Sequence, residues 1–329
     1  MKRSIRTAIA TALASLCLCA SAGATIVTFE IPGAWLVLPV AINANGAVTG
    51  QYNDSNGSHG FLWQPDGTVV TFDVPGAVNT IPVGINAGGE ITGWCDGQQV
   101  HSGFVRAADG SFTTFSVPDG DITVPQRTNK NGWIVGYYYR SSRSKRPHAF
   151  LRDPSGRTKE FYVPGGHGAI ASVINKSQTV AGEVLLGNGD TRLGFIRKVD
   201  GIARMFGDPQ FSYDVVGIND TGTIAGSFWG SQSEGFVRTS DGVITTFTAP
   251  NGPKQTYPAA MNNAGTIVGT FTDSSNVVHG FLRKAGGTFT SFDPQNSVFT
   301  WVTAITNKGT IAGTYTDKDG VIFGFTGTP

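Results

Sequence analysis

A pattern of the form Ile-Asn-x-x-Gly-x-Ile-x-Gly returns along the chain with its Asn at Asn43, Asn86, Asn129, Asn175, Asn219 and Asn262, and Thr306 stands in the seventh place. Two more patterns keep step with it. One is a Phe, mostly preceded by Gly, at Phe61, Phe104, Phe150, Phe195, Phe236, Phe281 and Phe325. The other is Phe-x-x-Pro, at Phe29/Pro32, Phe72/Pro75, Phe115/Pro118, Phe161/Pro164, Phe206/Pro209 and Phe247/Pro250, shortened by one residue at Phe292/Pro294. Self-similarity at a period of about 43 residues constrains the fold more than any other feature. Each copy is one supersecondary unit that must bury its faces against its neighbours.

The copy between Gly33 and Pro75 predicts four strands, over residues 36–43, 47–53, 59–64 and 68–74. Asn-x-x-Gly turns the first into the second. Asp66-Gly67 joins the third to the fourth, and Asp-Gly returns at Asp109-Gly110, Asp200-Gly201 and Asp241-Gly242, as expected of a tight hairpin whose two central residues take positive φ. Four antiparallel strands in about 43 residues is one propeller blade. A parallel β-helix needs shorter coils, and helical repeats need a 3.6-residue pattern that is missing.

The ends of the chain decide how the units are arranged. After Pro294 only 35 residues remain, and they lack a fourth strand; Thr25 to Pro32 is a fourth strand of 8 residues with no unit of its own. Together they make one period. The expected fold is therefore an all-β, seven-bladed β-propeller over residues 25–329, with four antiparallel strands per blade and the N-terminal strand completing the last blade. Closure removes the sheet edge that an open array would expose.

Composition agrees and excludes alternatives. Of 329 residues 45 are Gly, 40% are hydrophobic, 11% aromatic and only 14% charged, which excludes a disordered chain and long helical bundles. Lys2, Arg3 and Arg6 precede an apolar run from Ile9 to Ala20 and the small residues Ala22-Gly23-Ala24, the pattern of a cleaved secretion signal over residues 1–24. A secreted or periplasmic protein with no transmembrane segment is expected. Its removal would leave 21 basic against 23 acidic residues, so no nucleic-acid partner is implied. Cys17 and Cys19 fall in the signal, which leaves Cys95 without a disulfide partner and expected to be buried.

The units resemble the HAF repeats of bacterial extracellular proteins, and the third copy carries those letters as His148-Ala149-Phe150. The resemblance covers essentially the whole of residues 25–329. It implies an exported repeat protein with a propeller-like fold, and it carries over no activity and no catalytic residues.

Repetition separates scaffold from function: a residue present in most copies serves the copy. The His of the third strand (His59, His148, His279) then reads as a tie between loops, and the Asn column as turn chemistry. Departures from a column are the candidates. Two positions before the Asn stand Ala41, Gly84, Arg127, Val173, Gly217, Ala260 and Ala304, so Arg127 is alone among small residues on the innermost strand and can reach the central channel. After the second-strand Gly stand Gln51, Trp94, Tyr137, Glu183, Ser227, Thr270 and Thr314, where Glu183 is the only acid. Glu183 with Asp214 in the next unit forms a carboxylate pair of the kind a glycoside hydrolase uses. A lyase would need a base and a charge neutraliser, for which His167 or Tyr213 with Arg127 serve.

Large rings at Trp35, Trp301, Tyr257 and Tyr213 are placed in connecting loops, where they can stack on sugars. Arg140 opens a basic run with Arg143, Lys145 and Arg146 that suits an acidic polymer or anionic surface. Asp317-Lys318-Asp319-Gly320 falls short of a calcium loop, and no zinc spacing, nucleophile elbow or phosphate loop is present, so no cofactor is implied. The leading expectation is a monomeric binding module for glycans or cell-envelope polymers. A polysaccharide lyase or hydrolase with its site at the channel mouth stands second, and a protein-interaction scaffold third.

Overall fold

A computed structural model describes residues 25–97, 101–187, 191–230, 232–250, 252 and 255–329. The proposed signal, residues 1–24, lies outside them. Among the described residues the chain is all-β, and no helix is long and apolar enough to cross a membrane.

The strands pair antiparallel in groups of four. In the first unit they are Leu36–Ile42, Val48–Asp54, Gly57–Trp63 and Val69–Phe72, hydrogen-bonded in that order. The order repeats over residues 79–115, 122–161, 168–206, 212–247 and 255–292. The last unit holds three strands between residues 297 and 328, and its fourth is Thr25–Phe29, which pairs antiparallel with Ile322–Thr328 from Thr25↔Thr328 to Phe29↔Gly324. Phe29 and Ile31 share one apolar cluster with Val37, Val48, Phe61 and Trp63 of the first unit and Ala304 and Ala312 of the last. A cavity of about 220 Å³, termed the channel, is lined by residues of the first strands, from Ala41 and Ile42 to Ala304 and Ile305.

Every first strand carries a β-bulge, between Pro39 and Ala41 in the first unit and at the matching place in the other six. The second-strand Gly of the repeat faces it. A Cβ on Gly50, Gly136 or Gly182 would collide with the carbonyl oxygen of Leu38, Val124 or Ile170, so the bulge requires a residue without one. Two of the extra residues, Val216 and Thr303, line the channel.

The turns differ from the Asp-Gly expectation. Gly67 and Gly110 have φ of 88° and 91°, whereas Asp66 and Asp109 are not in the left-handed region. Gly67 N–H donates to Gln64 O and Gln64 N–H to Thr68 O, while the Asp66 carboxylate accepts from Thr68 N–H. This is a three-residue loop with one left-handed Gly, and the Asp acts through its side chain.

The core lies between units, and three repeated contacts join them. Asn43, Asn129, Asn175 and Asn262 each accept backbone N–H bonds in their own turn and donate from Nδ2 to a backbone carbonyl of the next unit, at 2.9 to 3.3 Å. The column is therefore an inter-unit tie as well as turn chemistry. The guanidiniums of Arg106, Arg152, Arg197, Arg238 and Arg283 lie 4.4 to 5.0 Å from the ring centroids of Phe72, Phe115, Phe161, Phe206 and Phe247, each on the fourth strand of the preceding unit. Trp63 takes that place in the first unit and stacks on Phe29 at 5.3 Å. The His column ties strand ends to acidic residues: His59 lies 3.0 Å from Asp73 and 3.2 Å from Asp54, His279 2.7 Å from Asp293, and His148 2.7 Å from Glu160.

Candidate functional site

Beside the channel, and sharing Arg127 and Val216 with it, lies a second cavity of about 260 Å³. It takes Gln126, Arg127 and Tyr137 from the third unit, Ile170, Ser172, Glu183 and Arg192 from the fourth, and Asp214 from the fifth. Gln126 and Ser172 are bulge residues. Three of the sequence candidates, Arg127, Glu183 and Asp214, thus converge.

Glu183 is only 3% exposed. Its Oε2 accepts from the Ser172 hydroxyl at 2.6 Å and its Oε1 from Val215 N–H at 2.6 Å. Burial, with the negative charge of Asp214 added, pushes its pKa up to about 8, against the opposing pull of those two donors and of Arg192. Burial raises Asp214 as well, while Arg192 opposes the rise. Asp214 is the more exposed of the two. The proton therefore rests on Glu183 near neutral pH, and Asp214 is the anion. The cation that acts on the charge of Asp214 is Arg192, not Arg127.

Arg127 is half-buried, and loss of hydration alone lowers its pKa. It makes no hydrogen bond or ion pair among the described residues. The side chains at its height in the other units are small, which leaves it room to extend along the channel.

The other candidates lie elsewhere. Tyr213 belongs to the strand Ser212–Ile218, not to a loop; it is buried against Phe206, Phe228 and Phe236, and its hydroxyl accepts from Asp208 N–H at 3.1 Å. Its ring is occupied as core packing. His167 is exposed and lines a separate cavity of about 400 Å³ with Arg146, His148 and Tyr162. Arg140 donates to Glu160 at 3.1 Å and to the Tyr162 hydroxyl at 3.3 Å, which engages it within its own unit.

Trp35 is 62% exposed in the turn before the first unit, and its Nε1 donates to Asp54 O. Tyr257 and Trp301 sit on first strands, not in loops, and Trp301 is 47% exposed. Both occupy the column of Asp214, five residues before the Asn position, so an acid and two rings follow one another at one height in three successive units. The Asp317 carboxylate accepts from Asp319 and Val321 N–H as turn chemistry, and among the described residues no cluster of three or more His, Cys, Asp or Glu could hold a metal. Cys95 is buried and free.

Arg192 and Ser172 were not among the candidates. Arg192 could have been found by the same test, since its column reads Ser58, His101, Pro147, Arg192, Ser233, Val278 and Ile322. Ser172 could not, because its position matters only once the bulge is known.

No protein-family model and no curated protein matches the chain. Solved structures do. Virginiamycin B lyase from Staphylococcus aureus aligns over 92% of this chain and 99% of its own, at 16% identity and a TM-score of 0.62. Puromycin hydrolase aligns over 88% of this chain at 11% identity and a TM-score of 0.63, and a prolyl endopeptidase over 91% at 13% and 0.59. The chain spans about half the length of the latter two, 52% and 48%. At such identities the likeness is one of fold, and the fold is of the β-propeller type.

Proposed function

We propose that this chain is an exported seven-bladed propeller, closed by its first strand, that binds glycans or cell-envelope polymers at the mouth of its central channel. The observation that carries this reading is the convergence of Arg127, Glu183, Arg192 and Asp214 in one cavity, with the rings of Tyr257 and Trp301 in the column of Asp214. Charged groups concentrated in a concavity, beside flat rings that can lie on sugar faces, form a recognition surface. The cavity is smaller than those that enclose a drug-sized ligand, so it would seat one terminal group of a longer ligand. Pairing of Thr25–Phe29 with Ile322–Thr328, and the channel lined by seven first strands, support closure. The test is a glycan array followed by thermal-shift titration of the hits. Binding that Trp301→Ala and Asp214→Asn weaken supports the reading, and an array without hits removes it.

A second reading, a polysaccharide lyase or hydrolase at the same site, is favoured by the proton held on Glu183 beside the carboxylate of Asp214. These two groups have the opposite protonation states that acid and base steps require. Release of reducing ends or unsaturated sugars from a bound polysaccharide, abolished by Asp214→Asn, would support it. Tight binding without product over days would leave the module reading alone.

A further inference from the structure

We infer that the group seated in the channel-mouth cavity is a single carboxylate, held by Arg127, so that the ligand is a polymer ending in an acidic sugar of the uronic acid type. This rests on the glycan reading above and names its ligand class.

The argument starts from what Arg127 lacks. A guanidinium carries five N–H donors and no acceptor, and it is costly to desolvate without a partner. The five arginines of the repeat offset part of this cost by lying over phenylalanine rings, and four of them also donate to the carbonyl of the next residue. Arg127 has no ring, no carboxylate and no hydrogen bond among the described residues, and its neighbours at the same height are Ala41, Gly84, Val173, Gly217, Ala260 and Ala304. Six of seven units build that level of the channel from small apolar residues, and one unit inserts a cation into it.

The other groups facing the cavity set the charge that it accepts. Arg192 and Asp214 offset one another, Glu183 is protonated near neutral pH, and Tyr137 is neutral, its pKa raised first by burial. One positive charge is left, on Arg127. A monoanion balances it, whereas the two charges of a phosphate monoester would leave an excess beside Asp214. A carboxylate also matches the planar fork of the guanidinium with two parallel hydrogen bonds. Donors on Gln126 and Ser172 remain for the ring hydroxyls of the sugar.

The test is calorimetric titration of the purified protein with uronate-terminated oligosaccharides, with the same oligosaccharides after reduction of the carboxyl to the alcohol, and with acetate. The expected result is binding of the uronates, weakened about tenfold or more by carboxyl reduction, as for loss of a charge-assisted hydrogen-bonded pair. Arg127→Ala copies the residue of three sibling units, so it should fold and melt no lower than the parent while losing the discrimination between acid and alcohol. Arg127→Lys should keep part of it. Equal binding of acid and alcohol would overturn the inference and leave the glycan reading intact. Binding of acetate without any sugar would uphold the carboxylate site and remove the glycan reading. Failure of all three ligands would overturn the inference as well.

Discussion

The molecule holds two kinds of arginine. At the seams between units Arg106, Arg152, Arg197, Arg238 and Arg283 repeat the same pose over a phenylalanine of the preceding unit. In the channel Arg127 is single and unpartnered among the described residues. The seam arginines hold together what the repeat builds, whereas Arg127 interrupts a level that the repeat keeps apolar. A charge that recurs at every seam belongs to packing, and a charge that occurs once, in a cavity, is free to face a ligand.

The largest expected effect comes from removing a ring at a seam. Phe161 is buried beneath Arg197 and lies 6.0 Å from Phe195, so Phe161→Ala should cost about 3–5 kcal/mol, seen as a lower midpoint in urea unfolding. An effect below 1 kcal/mol would mean that the seams do not carry the stability.

The channel should respond in the opposite direction, and with pH. Glu183 in the folded protein titrates near 8, above its ordinary 4.5, so the folded state keeps a proton that the unfolded chain releases. Stability attributable to this group is fully present below pH 4.5 and is lost as pH rises through 8. Glu183→Gln should therefore gain on the parent across that window by up to about 1.4 kcal/mol per pH unit. A pH-independent difference would place the proton elsewhere.

Smaller effects sharpen the contrast. Arg197 Nε is buried without a hydrogen-bond partner. Arg197→Met keeps the apolar stem and removes the charge over Phe161, so it should cost about 1 kcal/mol, measured by urea unfolding. A cost of several kcal/mol would give the seam arginines an ionic role that their surroundings do not show. Least of all, Gln178 holds φ of 61° where most copies of the turn have Gly. Gln178→Gly should stabilise the fold by about 0.5–1 kcal/mol of relieved strain, seen as a small rise in melting temperature.

Most of the architecture was legible because repetition writes it several times. Strand positions in the first unit came within one or two residues of those observed, and the pairing of Thr25–Phe29 with the last unit follows from the missing fourth strand. The Asp-Gly turns were read as the wrong type, since dipeptide identity does not reveal how many residues close a hairpin. The seam arginines were visible two residues after five of the seven third-strand Phe, but a charge on a repeat is easily taken for solvent-facing until the ring beneath it is seen. Of the residues singled out, Arg127 and Glu183 by their columns and Asp214 as a partner for Glu183, all three line one cavity. Tyr213, expected in a connecting loop, lies on a strand instead, where alternation sends neighbouring residues to opposite faces: Asp214 reaches the cavity while Tyr213 is buried in the core.

The pairing of the first strand with the last also governs when the fold can complete. Thr25 meets Thr328 across nearly the whole length of the described chain. During synthesis Thr25–Phe29 must wait, its hydrogen-bonding edge unclaimed, until Ile322–Thr328 has emerged. A contact of such high sequence separation carries a large loop-closure cost and should form late, after the hairpins within units. Six units are built from their own hairpins, whereas the sheet over residues 297–328 takes its fourth strand from Thr25–Phe29, so loss of either partner strand should open the same contact.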